Sequence, residues 1–210
     1  MATRTPKNVR TEIKPSKPLQ GISKHQIDDH FDVKYAGYVN CFNQIEEKKQ
    51  DAQPSGGPNF SEWREMMLEQ ERCFNAITLH EGYFQCLGGN GQANGTIKTW
   101  IDEDFGSFDR WKERFTATGA SARGWCVLAF SLSDGRLYNV LCDEHMIGLW
   151  NSVPLVILDM YEHAYYIDYN SNSKQYLQAY HNNLSFDFAN RSIENYNLEG
   201  LRKKMLVAKS

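Results

Sequence analysis

Residues 154–169 read Pro154-Leu-Val-Ile-Leu-Asp-Met-Tyr-Glu-His-Ala-Tyr-Tyr-Ile-Asp-Tyr169. Leu155 to Leu158 form an uninterrupted apolar run of the kind expected for a central strand covered on both faces. Asp159 follows directly, at a point where a carboxylate is costly unless something positive offsets it. His163 comes four residues later and can reach the same point. A buried Asp–His hydrogen bond is one reading of this pair, and a shared metal ion is the other.

Working backwards, residues 124–130 and 136–142 are two more strand-like runs, set around the turn signal Ser133-Asp-Gly135. Upstream of them, helices are predicted over 96–104 and 107–119, the latter with Ser107 as N-cap. A longer helix runs from near Ser61 to the break at Gly88-Gly-Asn-Gly91, with Trp63, Met67, Phe74, Ile77, Phe84 and Leu87 near one stripe. Before it, Ile27, Phe31, Tyr35, Tyr38, Phe42 and Ile45 recur at spacings of 4, 4, 3, 4 and 3, one face of another long helix. Ser23-Lys-His-Gln26 reads as its capping box, and Asp51-Ala-Gln-Pro-Ser-Gly-Gly-Pro58 as its stop.

Downstream of residue 169, helices are expected over 174–183 and 186–195, with another turn or two in the tail. The class is α+β: a long antiparallel helical hairpin, then a three-stranded antiparallel sheet surrounded by helices. The expected divisions are a flexible basic arm (1–20), a helical hairpin domain (21–92), an α/β domain (93–196) and a basic tail (197–210).

Composition narrows the function classes. The chain has 210 residues, 41% of them hydrophobic, enough for a sizeable core and too many for wholesale disorder. A net charge of −3 gives no global attraction to nucleic acid or anionic lipid, so neither partner is expected. No run of 18 apolar residues occurs, and no secretory signal is visible. The five cysteines are odd in number and form no CxxC pair, which suits reduced thiols in a cytoplasmic protein. The arm, with Arg4, Lys7, Arg10, Lys14, Lys17 and three prolines, also admits a mitochondrial transit peptide, against which Glu12 and the prolines count.

Two further histidines sit on apolar helix faces, His30 between Ile27 and Phe31 and His80 between Ile77 and Phe84. A buried imidazole needs a hydrogen-bond partner or a metal. Singly, each reads as a satisfied core histidine. Together with Asp159 and His163 they make one carboxylate and three imidazoles, a donor set suited to manganese, iron or zinc.

These residues carry a resemblance. Asp159-Met-Tyr-Glu-His-Ala-Tyr-Tyr-Ile-Asp-Tyr169 resembles the C-terminal signature of the iron/manganese superoxide dismutase family. Phe105-Gly-Ser-Phe-Asp-Arg-Trp-Lys-Glu-Arg-Phe115, Gly124-Trp125, His30 with Tyr38, and His80 with Tyr83-Phe-Gln-Cys-Leu87 resemble further family segments in the right order. The resemblance implies that His30, His80, Asp159 and His163 bind one manganese or iron ion per chain. It implies superoxide as substrate, with dioxygen and hydrogen peroxide as products. Tyr38 would stand near a substrate funnel and Trp125 would wall the pocket. Glu162 and Tyr166 would lie at the interface of a homodimer.

The sequence also departs from the family pattern. Where the family sets an amide or a histidine against the metal-bound solvent, the helix position is Ala76, and counting back from Pro154 puts Glu144 at the loop position. Glu144 is therefore expected to be catalytic, with His145 taking its place under a shift of one residue. Lys34 and Tyr35 replace paired histidines at the gateway, where Lys34 would steer an anion, pair with Glu144 or remain solvated. Val127 and Tyr161 replace aromatic wall residues, and Ser173-Lys174 stands where an arginine is usual. The alternative function is a binding or structural protein on the same fold, using the basic arm and the Arg202–Lys204 cluster.

Overall fold

The Ser23 hydroxyl accepts a hydrogen bond from the Gln26 N–H at 3.0 Å and starts α1 (Lys24–Asp28). This is half of the expected capping box. The Gln26 side chain is buried and does not return to Ser23; its amide donates to the His163 carbonyl at 2.6 Å and accepts from the Ile167 N–H at 3.0 Å. The Ser23 N–H goes instead to the Asp168 carboxylate, at 2.6 Å. A local cap has thus become a tie between the first helix and the segment after Asp159.

The computed structural model describes residues 5–207. After α1 the helix widens into a π-type stretch, Asp29–Tyr35, and continues as α2 (Ala36–Asp51). Such wide turns shift the facing of the residues that follow and recur at functional sites; this one carries His30. The second arm of the hairpin is α3 (Glu62–Gln85), capped by the Ser61 hydroxyl accepting from the Arg64 N–H at 3.1 Å. Its buried stripe runs through Met66, Cys73, Ile77, His80 and Phe84, while Phe74, placed on the stripe by the spacing, is 41% exposed. Ile77 and Phe84 are buried as the spacing predicts, but one turn earlier Cys73 and not Phe74 points inward.

Helices α4 (Gly95–Phe105) and α5 (Phe108–Ser121) follow, with Ser107 accepting from the Arg110 N–H at 3.2 Å as expected. Strands β1 (Trp125–Ser131), β2 (Leu137–Cys142) and β3 (Ser152–Asp159) form an antiparallel sheet in the order β2-β1-β3. The apolar run 154–159 is therefore an edge strand and not the central one. It reads as central because helices cover it, and its outer edge is paired by side chains. The short α6 (Tyr166–Tyr169) leads to α7 (Ser173–Asn182), from which the Tyr180 and Tyr176 hydroxyls donate to the Ile157 and Asp159 carbonyls at 2.7 and 2.8 Å. These bonds satisfy carbonyls that a neighbouring strand would otherwise take. Helices α8 (Asp187–Asn195) and α9 (Leu198–Val207) complete the chain.

One glycine sets the spacing on which the centre depends. A methyl group at Gly82, on α3, would overlap the Ile157 side chain of β3. With the Ile157 side chain in this position, the absence of a Cβ lets α3 lie this close to β3, which brings His80 toward the end of the strand.

Several charges of the two basic segments are paired, while Lys17, Lys203 and Lys204 are exposed. From Lys7 onward the arm is docked: the Lys7 N–H donates to Asn43 at 2.8 Å, the Arg10 N–H donates to the Tyr35 hydroxyl at 3.1 Å, and Lys14 pairs with Asp28 and Asp32 at 2.8 and 2.6 Å. The expected flexible arm is thus laid along the hairpin by paired charges; Arg4 lies outside the described residues. In the tail, Arg202 is buried, held by Asp104 and Glu103 at 2.8 Å each and by the Gly135 carbonyl at 2.8 Å. Among the described residues no helix is long and apolar enough to cross a membrane.

Candidate metal centre

Four side chains from three parts of the chain meet at one point. His30 comes from the widened turn, His80 from α3, Asp159 from the end of β3 and His163 from the turn after it. One nitrogen from each imidazole and one carboxylate oxygen all lie within 4.8 Å of one another. Asp159 Oδ2 is 3.0 Å from His30 Nε2, 3.1 Å from His163 Nε2 and 3.7 Å from His80 Nε2. Bonds of about 2.1 Å to a shared ion would space neighbouring donors about 3.0–3.6 Å apart, so the set has ligand dimensions.

Hydrogen bonding alone does not account for the cluster. His80 Nδ1 lies 2.7 Å from the Ala76 carbonyl, which can only accept, so Nδ1 carries the proton and Nε2 presents a lone pair. That Nε2 is buried and has no hydrogen-bond partner among the described residues. A satisfied core histidine would not leave it so. The residues therefore fit a metal ion.

Protonation points the same way. Burial drives His30 and His80 below the ordinary imidazole range, His80 well below it, so both rings are neutral. Burial also opposes the charge on Asp159, but the neighbouring His163 and the bonds from His163 and His30 hold its carboxyl below the usual range. Neutral His30 and His80 beside an ionised Asp159 are in the forms that bind metals.

Around the four runs a polar chain. Trp125 Nε1–H donates to His145 Nδ1 at 2.9 Å, and His145 Nε2 lies 2.9 Å from the Tyr38 hydroxyl. Indole nitrogen is only a donor, so His145 Nδ1 is the acceptor and Nε2–H donates to Tyr38. The Tyr38 proton is left free to be donated elsewhere. Burial lowers His145 to about 4 and raises Tyr38, so both stay neutral near neutral pH.

His145 is buried and Glu144 is exposed, which corrects the expectation of a catalytic Glu144. Counting back from Pro154 crosses the irregular loop 143–151, whose length is not fixed by any repeat. Lys34 is also exposed.

Trp125 is fully buried, edge-on to His80 with centroids 5.0 Å apart. The Tyr161 ring stacks on His163 at 5.2 Å, and its backbone N–H donates to Asp159 Oδ1 at 2.9 Å. Glu162 and Tyr166 are exposed beside His163. Two positioning residues escaped the sequence reading. Gln26 pins the backbone of His163. Tyr176 donates to the Asp159 carbonyl and must therefore accept from Tyr83, 3.1 Å away. No sequence pattern marks either one.

The sequence compares with known proteins in the same sense. Residues 93–192 match the family model described as iron/manganese superoxide dismutases, C-terminal domain. An iron superoxide dismutase of Aquifex aeolicus is 35% identical over 192 residues, covering 88% of this chain and 90% of the relative. Another, from Cupriavidus metallidurans, is 35% identical over 83% of this chain and 89% of the relative. A superoxide dismutase of Haloferax volcanii named for manganese is 31% identical over 79% of this chain and 84% of the relative. With that similarity over nearly the whole chain, and a donor set of ligand dimensions at its centre, the chain belongs to the iron/manganese superoxide dismutase family.

Proposed function

We propose that the protein disproportionates superoxide, with His30, His80, Asp159 and His163 holding one manganese or iron ion. The observation that carries this reading is the buried Nε2 of His80, without a hydrogen-bond partner among the described residues, facing the Asp159 carboxylate and two more imidazoles. When bound, the ion supplies one-electron chemistry: one superoxide gives up an electron and leaves as dioxygen, and a second gains one and leaves, with two protons, as hydrogen peroxide.

The chain supplies the setting. Asp159 contributes the one buried negative charge of the set, and the neutral His30 and His80 rings add none. Trp125 and Tyr161 fill the space beside His80 and His163 and limit water there. Tyr38, held by His145, keeps a proton on its hydroxyl. That proton is available for hydrogen bonding to an anion or its product, and His145 can replace it through Nε2–H.

A homodimer is part of the proposal. Glu162 and Tyr166, exposed and adjacent to His163, are its candidate contacts. Their position would let a second chain cover the edge of the centre. A cytoplasmic location is likewise proposed, from the sequence, and fractionation of cells tests it.

The test of the main reading is metal analysis of the purified protein together with a dismutation assay after loading with manganese or iron. Close to one ion per chain with metal-dependent dismutation is expected. Stoichiometric binding without dismutation would remove the reaction and keep the centre. Failure to bind either ion would remove both.

A further inference from the structure

Cys41 on α2 and Cys73 on α3 face each other across the helical hairpin, away from the four-residue centre. Their sulphurs and a Glu69 carboxylate oxygen lie within 4.8 Å of one another. Cys73 is fully buried and Cys41 is half-buried. Burial, followed by the hydrogen bond to Cys41, pushes the Cys73 thiol up to about 12. Cys73 therefore keeps its proton and offers it to the Cys41 sulphur. That leaves Cys41, the more accessible of the two, as the attacking group.

The surroundings favour sulphur redox chemistry over metal binding. Arg72 holds the Glu69 carboxylate through Nε at 3.1 and 3.0 Å and through a further contact from its terminal nitrogen. With Glu69 committed, two sulphurs remain, too few to hold an ion by themselves. The pair does lie near Tyr38. Cys41 is three residues past the half-buried Tyr38, on the same helix face, and the Arg72 guanidinium lies 5.9 Å from the Tyr38 ring.

We propose that Cys41 and Cys73 form a reversible intrachain disulfide, with hydrogen peroxide as the oxidant. The Cys41 sulphur attacks one peroxide oxygen and the O–O bond breaks. This gives a sulfenic acid on Cys41, while the other oxygen leaves as water with the Cys41 proton. The Cys73 sulphur then attacks the sulfenic sulphur, the S–O bond breaks, and that oxygen leaves as a second water with the Cys73 proton. Two thiols and one peroxide become one disulfide and two waters, with two electrons passing from sulphur to oxygen. The final bond of about 2.05 Å requires the sulphurs to close up by side-chain rotation. The reaction proposed above would generate the oxidant in the same protein, but the thiol chemistry itself does not depend on that activity.

The test uses the full-length, metal-loaded protein with added hydrogen peroxide, so it reads the thiols whether or not the protein dismutates superoxide. Free thiols are counted by alkylation under denaturing conditions, and the peptides are mapped by mass spectrometry. The protein should lose two of its five thiols. The peptides carrying Cys41 and Cys73 should be joined, and dithiothreitol should restore both. Cys41→Ser and Cys73→Ala should each abolish the link, and Cys86→Ser should leave it intact. The map of the unmodified sequence stands alone if a variant fails to fold. Retention of all five thiols, over-oxidation of Cys41 with Cys73 untouched, or a link involving any other cysteine would overturn the proposal.

Discussion

His145 Nε2 and the Tyr38 hydroxyl are 2.9 Å apart, although 107 residues separate them in the chain. The bond has a fixed direction because Trp125 occupies the other ring nitrogen. His145 is thus both an acceptor and a donor, a combination an ionised glutamate cannot provide.

It follows that His145→Ala should damage the centre and Glu144→Gln should not. The alanine leaves Trp125 Nε1 and Tyr38 without their partner and should cost about 1–3 kcal/mol in stability. Dismutation should fall by about tenfold or more as proton delivery weakens. His145→Gln, which can still accept and donate, should retain more activity than the alanine. Glu144→Gln should change activity by less than about twofold, since surface substitutions away from such features are usually near neutral. Steady-state dismutation rates and denaturant melts of the metal-loaded variants check both. A larger loss in Glu144→Gln than in His145→Ala would reverse the assignment.

His80→Ala removes the lone pair that no group among the described residues satisfies. Metal affinity should drop by more than the roughly 10–100-fold typical of losing an outer-shell partner. The apo-protein should lose less stability than the loaded one, because an ion that binds only the folded state stabilises it by mass action. Metal content by mass spectrometry and paired melts with and without metal test this. Unchanged metal content would remove His80 from the ligand set.

Gly82→Ala places a methyl group against Ile157 and should destabilise the protein by about 1–3 kcal/mol through overpacking. It should also weaken metal binding, because α3 carries His80 and must shift away from β3. Adding Ile157→Val should recover part of both losses. A stable Gly82→Ala protein with normal metal content would show that the close approach is not needed.

Stability should fall on acidification, in part through His181. Burial, reinforced by Lys112, lowers its pKa to about 4 from an ordinary 6.5. The folded state therefore resists a proton that the unfolded chain accepts. The contribution is fully present above about pH 6.5 and is lost as pH falls toward about 4, by up to about 3 kcal/mol. His181→Asn should be less stable at neutral pH, since it loses the 2.8 Å bond to Thr116. Its unfolding free energy should nevertheless decline less steeply over that window. Chemical denaturation at several pH values gives the two slopes, and equal slopes would refute the assignment.

Much of this architecture is legible locally. The 3.6-residue stripe of Ile27, Phe31, Phe42 and Ile45, the helix start near Ser61, the cap at Ser107 and the turn at Ser133-Asp-Gly135 act within a few residues. Their signals do not depend on what packs against them. Phe74 and Cys73 show where this stops. The spacing puts Phe74 on the buried stripe, and packing against the neighbouring helix buries Cys73 instead. Gln26 shows the same limit at a cap, where a distant backbone outbid the local bond.

The chain alone determined which residues have donor atoms, namely His30, His80, Asp159 and His163, because ligand chemistry is written in residue identity and short spacing. Only the tertiary structure decided that their atoms share one point, that His145 and not Glu144 enters beside Tyr38, and that Cys41 meets Cys73. In an irregular loop one residue separates inside from outside. That choice is made by burial against partners a hundred residues away, and no local preference encodes it.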